Sequence, residues 1–162
     1  MSEGSNGVVM MRINVSGFGS NGKAATVFAA FDPSNDVLLI AREAEAYESS
    51  ERPGFLHITN QARDEHHDAV FTDDDTHEAI TAYLELDGLG LLTISPKVQR
   101  LTPSNKIERD GMDSSGMKYR IQPDISNGQV AVLAACLYAN RQRSMGAITD
   151  FNAEMALLFA SI

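Results

Sequence analysis

The sequence has no tryptophan, one cysteine (Cys136), five prolines and only 7% aromatic residues. A single cysteine excludes an internal disulfide framework, on which small secreted domains usually depend. Cys136 sits among apolar neighbours (Val-Leu-Ala-Ala-Cys-Leu-Tyr), which raise a thiol's pKa and oppose a nucleophilic role. Positive charge is also scarce, with 13 lysines and arginines against 22 acids and a net charge of −9. That balance opposes direct binding to nucleic-acid phosphates, which needs a basic patch. The longest strongly apolar run, Val130 to Ala139, is far shorter than the roughly 20 residues of a membrane span. Residues 1–7 carry neither a basic nor an apolar leader segment and read as a flexible tail. Together these absences predict a soluble cytoplasmic chain with no membrane or nucleic-acid partner. The sequence also contains no serine-nucleophile elbow, Walker loop, His-Glu-x-x-His or zinc-knuckle spacing.

What is present suits one globular domain over 8–162. The apolar fraction of 43% and charged fraction of 22% are near globular averages. Met11, Ile13 and Val15 alternate with polar residues, as in a half-buried strand. The stretch Lys23–Asp32 fits two elements. Ala24, Val27, Phe28 and Phe31 have helical spacing, whereas Asn21-Gly22 and the β-branched and aromatic residues suit a hairpin. Val37–Ala41 and Phe55–Thr59 are apolar runs of strand length. Ile80–Leu86 alternates and is followed by Asp87-Gly88, which predicts a hairpin with Leu89–Ile94. Thr102–Ser115 reads as a loop, and Met117–Gln122 as a strand. A helix capped by Ser126 or Asn127 is predicted over Gln129–Arg143, with a break at Ser144-Met145-Gly146 and a second helix from Asp150. The order predicts an α+β domain, strand-rich and mostly antiparallel in its N-terminal two-thirds, with a C-terminal pair of helices. The alternative is a small Rossmann-like α/β domain.

Charge is unevenly distributed. From Arg42 to Glu78 eleven acids stand against three arginines, and from Lys97 to Arg143 eight bases stand against four acids. An acidic middle can steer a basic protein partner. The favoured reading is therefore a non-catalytic, acidic protein-binding module (an inhibitor, adaptor or accessory protein) that presents Glu65, Asp68, Asp73, Asp74 and Asp75. No cofactor is predicted. The apolar segment Met155–Ala160 is either core or a homodimer contact.

Other motifs keep two further functions open. Gly17-x-Gly19-x-x-Gly22 directly follows a strand, and Glu43 lies about 20 residues on. Over residues 11–43 this resembles the dinucleotide-binding fingerprint of Rossmann proteins. The resemblance implies a nucleotide at Gly17, Gly19, Gly22 and Glu43, with a helix after the glycines. The second pool is His66, His67, Asp68 and His77, whose imidazoles and carboxylates suit a transition metal and a metal-dependent hydrolase. Finally, His57-Ile58-Thr59 on a strand resembles the motif of two-histidine phosphoesterases, a family that carries the motif twice.

Overall fold

The computed structural model describes residues 10–17, 24–48, 55–60, 67–114 and 116–160; within the last helix, side chains are described to 145 and at 155 and 158. The predicted tail over 1–7 lies outside the described residues. Strands β1 (Met11–Ser16), β2 (Thr26–Asp32) and β3 (Val37–Ala44) form an antiparallel meander. The β2–β3 turn runs through Pro33 and closes on Asp36 at φ 59°. Asp32 holds it by accepting from the Ser34 N–H and the Asn35 amide at 2.9 and 2.8 Å. Strand β4 (Phe55–Thr59) then adds parallel to β1, and the short β5 (Ala69–Val70) parallel to β4. Strand β6 (Leu92–Ile94) lies parallel to β3. The result is one six-stranded mixed sheet in the order β5-β4-β1-β2-β3-β6. A separate antiparallel ribbon joins β7 (Ile107–Asp113) to β8 (Gly116–Ile121).

Two helices cover one face of the sheet. Helix α1 (Thr76–Gly88) follows a 3-10 turn at Asp73–Asp75, and α2 (Asn127–Ala160) runs for 34 residues. Ser126 caps α2 through a capping box. Its hydroxyl accepts from the Gln129 N–H at 3.1 Å, and the Gln129 side chain accepts from the Ser126 N–H at 3.0 Å. Gln129 also donates to the carbonyls of Arg100 and Thr102, which ties the preceding connection to the helix.

The class is α+β, with a helix-covered sheet that is mixed but has more antiparallel than parallel residue pairs. The Rossmann-like alternative fails because β2 is a strand antiparallel to β1, so no helix follows the glycine-rich turn. Val27, Ala29 and Phe31 point alternately into the core, and Pro33 ends the run before a helix could gain length. Residues 80–86, expected as a strand, are helical. Ala79, Ile80, Ala82, Tyr83 and Leu86 are all buried, which is helical spacing. The helix ends in a Schellman motif at Gly90 (φ 72°), where Leu91 N–H reaches Leu86 O at 2.8 Å and Gly90 N–H reaches Asp87 O at 3.1 Å. Asp87-Gly88 is thus the last helical turn and not a hairpin. Nor does α2 break at residues 144–146. An interior glycine costs only about 1 kcal/mol, which a long helix absorbs.

The core lies between the sheet and the helices. Ile13, Val15, Val27, Phe31, Leu38, Ile40 and Ile58 meet Ile80, Tyr83, Leu86, Leu133 and Leu137. The outer sheet face carries different chemistry. Arg12 stacks over the Phe55 ring at 5.6 Å at the start of β1 and β4, and Arg42 over the Phe28 ring, beside Asn14, at 4.0 Å. Toward the carboxyl ends of β1 and β4 the same face turns polar and fully buried, with Asn14, Ser16, Thr26, His57 and Thr59.

Candidate functional site

Strands β1, β3, β4 and β6 run in one direction, so their carboxyl ends share one rim of the sheet. In sheets with parallel strands that rim is where ligands are usually held. Here it gathers Gly17, the segment Glu43–Glu48, the buried polar layer, and the cap of α2.

The register explains the polar layer. Asn14 lies opposite His57, and Ser16 opposite both Thr59 and Thr26, so strand alternation places all five on one face. The segment after β3 crosses over them as a strap. Ser16 Oγ donates to Glu48 O at 2.6 Å, and Asn14 Nδ2 donates to the same carbonyl at 3.1 Å. Thr26 Oγ1 donates to Ala46 O at 2.7 Å and accepts from Glu48 N–H at 2.9 Å. The Tyr47 ring meets the His57 ring edge-on at a centroid distance of 6.2 Å. These contacts hold the strap by its backbone and leave Glu45 and Tyr47 at the surface.

A groove of about 690 Å³ opens between the strap and the first turn of α2, lined by Ala25, Glu43, Glu45, Tyr47, Asn127 and Gly128. A second groove of about 440 Å³ adjoins it across Glu43, Glu45 and Ser126, and contains Arg100, Lys106 and Asp124. Glu43 forms the floor, with its side chain only 9% exposed. One carboxylate oxygen pairs with Arg100, whose Nε donates at 3.2 Å. The other lies so close to Gly128 that a Cβ there would collide with it and with Leu101. A carboxylate lodged at a helix N-terminus also meets the positive end of the helix dipole. The hydrogen bond from Arg100 to Glu43 raises the guanidinium's pKa further.

Of the nucleotide-binding positions, Gly17 and Glu43 are described, both at the carboxyl-end rim of the sheet. Gly17 has a left-handed φ of 86°, which fits its role as a turn glycine. Gly19 and Gly22 lie outside the described residues. Glu43, expected against a ribose, is instead bound to Arg100 and packed on α2.

His66 of the metal pool also lies outside the described residues. His67 is half-buried in the turn before β5, and His77 is exposed on the first turn of α1. Asp68 points one carboxylate oxygen at the His57 backbone N–H, 2.7 Å away. Among the described residues no group of three or more His, Cys, Asp or Glu side chains is placed to hold a metal ion. His57 and Thr59 do share a face of β4, as the His-x-Thr likeness requires. The neighbouring strand opposes them with Asn14 and Ser16 and offers no second copy.

Part of the acidic surface is answered from within the chain. Arg141 forks onto Glu78 with two bonds of 2.9 Å and lies 3.7 Å from Asp75. That hydrogen bonding holds the Glu78 carboxyl below its ordinary range. Arg143 pairs with Glu85, Lys106 with Asp124, and Arg120 with Glu108. Arg100 and Arg141 of the basic later third thus reach back to Glu43, Glu45, Asp75 and Glu78 of the acidic middle. Asp75 Oδ2 is also turned inward, accepting from the Thr72 N–H at 2.8 Å. Asp73 and Asp74 alone of the named acids in this turn are exposed and without an ion pair. Glu65 lies outside the described residues.

Cys136 is fully buried on α2, and burial together with the nearby Asp87 pushes its thiol far above the ordinary range. A water-soluble thiol reagent is expected to leave the folded protein unmodified and to label one equivalent in denaturant. Rapid labelling of the native protein would show that α2 leaves the sheet.

Sequence reasoning missed Asn14, Ser16 and Thr26 as a buried layer, and missed Tyr47, Arg100 and Gly128 at the groove. Only the Ser126-x-x-Gln129 spacing was available as a signal, since a capping box is visible locally. The other contacts join residues far apart in the chain. No helix among the described residues is long and apolar enough to cross a membrane. Comparison with family models, with curated proteins and with solved structures gives no match.

Proposed function

We propose that this chain is a non-catalytic binding module that takes a basic protein segment on its acidic surface. The observation that carries the reading is the state of Asp73 and Asp74. Both are exposed on the 3-10 turn that leads into α1, and neither is spent on an internal ion pair. The turn is fixed from both sides, by Phe71 N–H on Thr59 O at 2.8 Å and by Asp75 on Thr72. Two carboxylates on a rigid mount lose little freedom when a cation arrives.

The test uses the full chain and a fluorescent octalysine peptide, read by anisotropy at several salt concentrations. Asp73→Asn combined with Asp74→Asn is expected to weaken capture by roughly 2–10-fold and to flatten its salt dependence. The control is Asp36→Asn with Asp110→Asn, which removes the same charge from one half-buried and one exposed position elsewhere. Asparagine tolerates the positive φ at residue 36. Equal losses in the two variants would reduce the effect to net charge and refute the proposed surface.

A further inference from the structure

We propose that the groove beside the first turn of α2 receives an arginine side chain of the basic segment, held by Glu45 and stacked on Tyr47. The inference rests on the binding-module reading and says where one partner side chain goes.

Among the described residues lining this groove, Glu43 and Glu45 are the charged ones, and both are acids. The positive end of α2 would by itself repel a cation. Glu43 lies between them, lodged against Gly128, and meets that end with its own charge. Arg100 and the close packing at Gly128 keep Glu43 in place. Glu45 differs. Its side chain is 83% exposed, and its one ion pair, to Arg100, is a marginal 3.5 Å. A carboxylate so loosely engaged turns toward an arriving cation at little cost. Tyr47 supplies an aromatic surface, 39% exposed, on a strap whose backbone is bonded to Thr26, Asn14 and Ser16. A planar guanidinium can fork onto Glu45 and stack on the tyrosine together, which a lysine ammonium cannot do. The volume of about 690 Å³ accommodates the side chain and its flanking backbone.

The probe is an acetylated, amidated Gly-Arg-Gly peptide titrated into the ¹⁵N-labelled full chain. Amide shifts are expected at Glu45, Tyr47, Asn127 and Gly128, with a dissociation constant on the order of 1 mM. Glu45→Gln should weaken binding about threefold or more, and the matching lysine peptide should bind less tightly. Absence of shifts in the groove up to about 10 mM, or identical binding by Glu45→Gln, would overturn the inference. Shifts confined to Asp73 and Asp74 would overturn it too while leaving the binding-module reading intact. Loss of octalysine capture with shifts retained in the groove would sink that reading instead.

Discussion

Replacing Thr26 by valine is expected to lower the free energy of unfolding by roughly 2–4 kcal/mol, although the two side chains have nearly the same shape. Thr26 is fully buried, and its hydroxyl serves two backbone groups of the strap, the Ala46 carbonyl at 2.7 Å and the Glu48 N–H at 2.9 Å. Valine leaves no cavity, so the change isolates the polar term. A backbone donor or acceptor left without a partner away from water costs about 1–3 kcal/mol, and here one of each, both in part-buried bonds, loses its partner. The neighbouring bonds from Asn14 and Ser16 end on the same strap, so it stays near the sheet and cannot simply move out to water. Urea unfolding should show a lower midpoint with an unchanged slope, which is the signature of lost stability in a two-state transition. The exposed Thr93→Val on β6 is the control and should fall within about 0.5 kcal/mol of the parent. If Thr26→Val matched the control, the strap would be hydrated in the native state and the layer beneath it would not be a closed one.

The parts of the fold that could be read locally were those whose signals are local. Met11–Ser16 and Phe55–Thr59 appear as strands where alternation or an apolar run placed them, and Ser126-x-x-Gln129 caps α2. The region 80–86 misled because Ile80, Ala82, Leu84 and Leu86 satisfy a period of two over seven residues. Including Ala79 and Tyr83, and the acids Asp73, Asp74, Asp75 and Glu78 ahead of them, shows a helix start with acids at its positive end. Lys23–Asp32 was undecidable from within, since both periods fit it. What decides it is partners on both sides, β1 and β3, which make it a central strand paired along both edges, with one irregularity at Phe28/Ala29.

Charge shows the same limit more sharply. The acidic middle and the basic later third are plain in the sequence, and a reader takes them as surfaces offered outward. In the folded chain Arg141 and Arg143 reach back to α1, and Arg100 reaches Glu43 and Glu45. These pairs span more than fifty residues, and no spacing rule reveals them. Among the described acids of that stretch, Asp68, Asp73 and Asp74 are exposed and without an ion pair, and Glu45 is loosely held. Glu43 is the instructive position. Its place after an apolar strand suggested a ribose ligand, but the property that matters is its fit against a glycine in another element.

That fit gives the second large effect. Gly128→Ala is expected to destabilise the protein by about 1–2 kcal/mol, against the trend that glycine to alanine strengthens a helix by up to about 1 kcal/mol. A Cβ at this position would overlap the Glu43 carboxylate and a methyl of Leu101, which is itself only 1% exposed. Glu43 must then retreat from Arg100 and from the helix end, and Leu101 must move within a packed core. Overpacking of this kind costs about 1–3 kcal/mol, which outweighs the gain in helix propensity. The cause can be separated from the effect by a double-mutant cycle. In a Glu43→Ala background the carboxylate is gone, so Gly128→Ala should cost at least about 1 kcal/mol less than in the parent. Thermal unfolding of the four proteins under one buffer reads this directly. Strict additivity would mean that Glu43 and Gly128 do not touch, and the floor assigned to the groove would have to be given up.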